Sequence, residues 1–198
     1  MNNIRRTVPN QKRRGYTLVE LVVAVGLFAL VMTLASGAYL LMISINRQAQ
    51  GIATGINNLS FALETVTRTI RTGRNYPCNT VTSCTIDAAT GGSFSFTDEN
   101  DNTVTYSLGT TAASKQYIEV TTYSAANGTV IAALTDPQSV DVTGLTFYVS
   151  GTKPGDIYQD IYQPHVTIIV QGNVSVGPGK PPQPFSIETG ATMRGTDL

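Results

Sequence analysis

One carboxylate in this chain stands where a charge is costly. Glu20 directly precedes an apolar run without a charged residue, Leu21 to Ile45. A charge at membrane depth costs at least about 2.5–3.5 kcal/mol on insertion scales, so a carboxylate beside such a run needs a partner or a role. Ahead of it a short basic head ends at Gly15. Other residues with chemical potential are few. Cys78 and Cys84 enclose five residues, a spacing that fits no zinc pattern and that, in an exported domain, reads as a local disulfide. Asp98, Asn100 and Asn102 have the alternate spacing of a calcium loop. Thr103 stands where the glycine of such a loop belongs and its terminal glutamate is missing, so the segment reads as an acidic hairpin tip. His165, the single histidine, begins a strand-like run with no motif around it. There is no nucleophile elbow, phosphate-binding glycine loop or cofactor fingerprint. The expectation is no catalytic residue, no metal and no cofactor.

Composition limits what can position these groups. The 198 residues have zero formal net charge, but Arg5, Arg6, Lys12, Arg13 and Arg14 all precede Gly15 and no acid does. The remainder holds 8 basic and 13 acidic residues, about −5, which by bulk charge does not suit direct nucleic-acid binding. Taken as one helix, residues 21–45 would extend roughly 38 Å, enough to cross a hydrocarbon core of about 30 Å. A secretory signal would not need the continuation past Ala35-Ser36-Gly37-Ala38. The positive-inside bias places the basic head in the cytoplasm and the body beyond the membrane.

Beyond Ile45 the helical pattern continues. Ile52, Ile56, Leu59, Leu63, Val66 and Ile70 recur every three or four residues, a stripe expected to face a core, and Gly73 supplies a stop. A helix from about Thr17 to Thr72 would approach 84 Å, too long for a compact domain of this size to contain. Short alternating runs follow at 93–97, 103–108, 117–121, 129–134, 145–149, 165–170 and 185–189. Neighbour pairing predicts a largely antiparallel sheet laid on the helical stripe. The proline-rich segment 177–184 reads as a stiff exposed loop.

Gly15-Tyr16-Thr17-Leu18-Val19-Glu20, behind a basic leader and before a spanning helix, resembles the cleavage and methylation motif of type IV prepilins and type II secretion pseudopilins. Tyr16 stands where the family usually has Phe, and Gly37 where many major pilins carry proline. The resemblance is close over roughly residues 10–75. Further on, the "LTFYV" and "FSIETGATMR" segments are weakly similar to the larger minor pilins and pseudopilins. The resemblance implies an α+β, pilin-like fold in which a long N-terminal helix, transmembrane in its first half, packs its second half on an antiparallel β-sheet domain. It divides the chain into a cleaved leader (1–15), a transmembrane and polymerisation segment (16–46), an amphipathic segment (47–73) and an exported β-rich domain (74–198). It further implies cleavage after Gly15 by a prepilin peptidase, N-methylation of Tyr16, and pairing of Glu20 with the Tyr16 amine of an adjacent subunit. The expected partners are that peptidase, other pilin or pseudopilin subunits, and the inner membrane with its assembly platform. The competing expectation is a membrane-anchored binding or adhesion protein whose β domain recognises a ligand without polymerising.

Overall fold

A computed structural model describes residues 15–77, 83–151, 163–177 and 179–194. The chain divides into two compact units, Met1–Ile45 and Asn46–Leu198, and one helix, α1 (Leu18–Thr72), contributes to both. In the first unit the helix is exposed all round from Leu18 to Met42, with a mean hydropathy of 2.5 across its most apolar window, and α1 is long and apolar enough to cross a membrane. Two of its hydroxyls are satisfied by the helix's own carbonyls, as suits an apolar surrounding. Thr33 Oγ1 donates to the Leu30 carbonyl and Ser36 Oγ to that of Met32, each at 2.8 Å.

In the second unit α1 buries Gly55, Leu59, Ala62, Leu63, Val66 and Ile70. The expected stripe is therefore right from Leu59 onward and differs before it. Ile52 is half-buried and Ile56 is 48% exposed. At Gly55 the helix comes so close to Val174 that an added Cβ would lie 2.4 Å from its Cγ1. Glycine thus takes the inward position, and the next residue, about 100° further round, faces out. The helix end is closed by one group just beyond it and one from the far end of the domain. The Tyr76 hydroxyl donates to the carbonyls of Ile70 and Gly73, and the Arg194 N–H donates to the Arg71 carbonyl at 2.8 Å.

Among the described residues eight strands follow: β1 (Ser83–Asp87), β2 (Phe94–Thr97), β3 (Thr103–Thr110), β4 (Gln116–Ser124), β5 (Gly128–Ala133), β6 (Val140–Ser150), β7 (His165–Val174) and β8 (Gln183–Thr192). Every pairing is antiparallel. The strands form two four-stranded sheets, in the orders β2-β3-β4-β5 and β1-β6-β7-β8, where neighbour pairing along the sequence would build one. The switch falls between β5 and β6, where Thr135 is buried with its Oγ1 accepting from the Ile118 N–H, and the Asp136 N–H donates to Asn58 Oδ1 on α1.

One hydrophobic core holds the inner faces together. It combines Leu59, Val66 and Ile70 with Phe94, Tyr106 and Ile118 of the first sheet and Phe147, Ile168 and Val174 of the second. Phe94 and Phe147 stack with ring centroids 4.8 Å apart, and Phe96, Tyr106 and Tyr76 extend this cluster. In β6 the inward positions change parity: Val140 and Val142, then Leu145, Phe147 and Val149. A register shift between Val142 and Gly144 accounts for this, since an extra residue flips every later side chain. β5 stands at a sheet edge with every residue exposed.

Candidate processing and assembly site

The start of α1 is built from its own side chains. Thr17 immediately precedes the helix, and its carbonyl accepts the first helical bond from the Leu21 N–H at 3.1 Å. Its Oγ1 accepts from the Glu20 N–H at 3.3 Å. Thr17 is therefore the N-cap, and Thr-x-x-Glu is the sequence pattern of a capping box. Glu20 also brings a negative charge to the first turn, where the helix dipole favours it. Tyr16 is 83% exposed, and a Cβ at Gly15 would meet nothing within 4 Å. The Glu20 carboxylate is exposed and takes part in no ion pair among the described residues. The sequence reading assigned Glu20 an electrostatic role and missed the cap, although the Thr-x-x-Glu spacing carries that signal.

The other candidate residues lie in the second unit and do not converge on one centre. Cys84 sits on β1 opposite Val149, is half-buried and is not a free cysteine. Cys78 lies outside the described residues. Asp98 organises the β2–β3 turn: Oδ1 accepts from the N–H groups of Asn100 and Asn102 at 2.9 and 2.8 Å, and Oδ2 from Asn102 Nδ2 at 3.0 Å. Asp101, at φ 63°, pairs with Arg74. Among the described residues no group of three or more His, Cys, Asp or Glu is gathered as a metal site would require. His165 opens β7, with Nδ1 3.0 Å from Thr192 Oγ1 and its ring against Gly190.

Titration is perturbed in the core and at one turn. Burial pushes the Tyr76 phenol up to about 12. Burial also raises Tyr106, partly opposed by a hydrogen bond with Thr69. Asp136 is held below the usual carboxylate range, chiefly by the Ser139 hydroxyl and the Gln138 N–H.

Residues 10–36 match the family model of the prokaryotic N-terminal methylation motif. No curated protein and no solved structure matches the chain. The family that this motif marks is structural rather than enzymatic. Its methylation motif, its single apolar helix suited to a membrane anchor and its antiparallel β-sheets are together consistent with a protein of the type IV pilin and pseudopilin family.

Proposed function

We propose that the chain is the precursor of a structural subunit in a type IV pilus-like or type II secretion-like filament, and not an enzyme. The observation that carries this reading is the methylation motif over residues 10–36, overlapping the start of a helix able to cross a membrane. The precursor sits in the inner membrane with residues 1–15 in the cytoplasm. A prepilin peptidase cuts after Gly15 and methylates the new amine of Tyr16. The helix segment 16–46 anchors the subunit and then packs among its neighbours, while 47–73 supports the exported domain 74–198. Once in a periplasmic or surface filament, Glu20 pairs with the Tyr16 amine of an adjacent copy. That pairing relieves part of the cost of a buried charge and sets axial register. Cys78 and Cys84 form a local disulfide in the exported domain, consistent with Cys84 not being free.

Mass spectrometry of the mature N-terminus tests the processing. A peptide starting at methylated Tyr16 is the expected product, whereas a mature N-terminus at Met1 or Ala38 overturns the reading. Glu20→Ala tests assembly separately. The variant should be cleaved normally and enter filaments poorly, and undiminished incorporation would remove the pairing role.

A further inference from the structure

A cleft of about 850 Å³ lies in the second unit between the last turns of α1 and the end of β8. Arg68 and Arg71 enter it from the helix, one turn apart, and Arg194 from just beyond β8. All three are exposed, and none takes part in an ion pair among the described residues. Among the described residues the cleft lining has one acid, Glu64, and Arg68 also borders a smaller depression against Asp98 and Glu99. A cation in the last turn of a helix offsets its dipole, which accounts for Arg71. It does not account for Arg194, whose N–H is bound to the Arg71 carbonyl so that the strand end is tied beside the helix end. Thr67, Thr72 and Thr192 add hydroxyls to the lining.

We propose that this cleft is a binding site for a compact phosphate-bearing ligand. Guanidinium forks match phosphate oxygens in pairs, and three of them suit a doubly charged group better than a single carboxylate. Among the described residues the lining contains no aromatic ring on which a base would stack, which argues against a single-stranded nucleic acid. The surplus of acids elsewhere in the chain disfavours a long polyanion, which would meet like charge outside the cleft. The phosphate can belong to a soluble phosphomonoester or to a lipid headgroup.

Calorimetric titration of the full mature chain in nonionic detergent, at constant ionic strength, tests the site with glycerol phosphate and with short-chain phosphatidic acid as probes. Saturable binding of one phosphate probe or both is expected. Tighter binding of the acylated probe identifies a lipid headgroup, and equal or tighter binding of glycerol phosphate identifies a soluble ligand. Arg71→Gln and Arg194→Gln should each weaken binding at least tenfold, and Lys180→Gln, remote from the cleft lining, should leave it unchanged. Circular dichroism establishes that each variant remains folded. Absence of saturable binding by the folded wild-type chain overturns the proposal. Equal weakening by Lys180→Gln overturns it as well, as does a glutamate-rich peptide that binds more tightly than either phosphate.

Discussion

Replacing Gly55 by alanine sets two effects of known sign against each other. Gly→Ala in a helix interior is worth about 1 kcal/mol of propensity. The new Cβ, however, would sit 2.4 Å from Val174 Cγ1, 3.2 Å from Cγ2 and 3.3 Å from its Cβ. The comfortable carbon–carbon separation is about 3.5–4.0 Å. Val174 is 4% exposed and paired on both sides, with Val140 and with Gln183, so its backbone has little freedom to retreat. Overpacking of this kind costs about 1–3 kcal/mol, and the clash should win by about 1 kcal/mol. Val174→Ala alone removes two buried methyl groups and should cost about 2 kcal/mol. In the double variant the added methyl occupies the vacated space, so the combined loss should fall short of the sum by 1 kcal/mol or more, roughly the scale of contact coupling. Urea unfolding of the full chain in nonionic detergent, followed by circular dichroism, measures all four corners of the cycle. Gly37→Ala, where a Cβ meets nothing within 4 Å, reports propensity alone. If Gly55→Ala stabilises the protein as Gly37→Ala does, or if the cycle is additive, the close approach of helix and strand is refuted.

Phe147→Ala, which empties a fully buried position stacked on Phe94, should cost about 3–5 kcal/mol; a loss under 1 kcal/mol in a thermal melt would deny that these rings join the two sheets. Tyr76 titrates at about 12 when folded against an ordinary 10.0, so the contribution of its buried neutral phenol is complete below about pH 10 and lost as pH rises towards 12. Absorbance at alkaline pH should accordingly show the tyrosinate signals of Tyr76 and Tyr106 appearing only with unfolding, and their appearance near pH 10 in the folded protein would contradict the burial. Asn58→Ala removes the acceptor for the Asp136 N–H and should cost about 1 kcal/mol, read as a lower urea midpoint; no change would mean that water replaces the bond without loss.

The helix was the most legible element, because its apolar run and its stripe are local signals that accumulate over many residues. Its clearest misread position, Ile56, turned on a glycine, a residue that hydropathy does not rank as core but that a close strand requires. Seven strands announced themselves by alternation. β1 did not, since Ile86 is its only strongly apolar residue and its partner β6 lies far along the chain. The first part of β6 was hidden by the register shift at 142–144, which breaks the alternation on which the sequence reading depends. Gly15, Tyr16 and Glu20 stand out in the sequence because their spacing relative to the leader and the apolar run is itself a signal, and the roles proposed for them rest on that spacing. The arginine cleft was not, because Arg194 meets Arg68 and Arg71 only after β8 has been laid beside the helix end.

The division into two sheets also orders events in time. β2 to β5 form a meander in which each strand pairs with the next, so that sheet needs only short loops to close. β6 to β8 are arranged in the same way. β1 is different: Ser83 must find Ser150, and the whole first sheet lies between them in sequence. Closing so long a loop carries the greatest entropy cost of any ladder in the domain. A chain delivered N-terminus first would thus complete an entire sheet while its first strand still lacked a neighbour, and β1 would join only after β6 had followed it across.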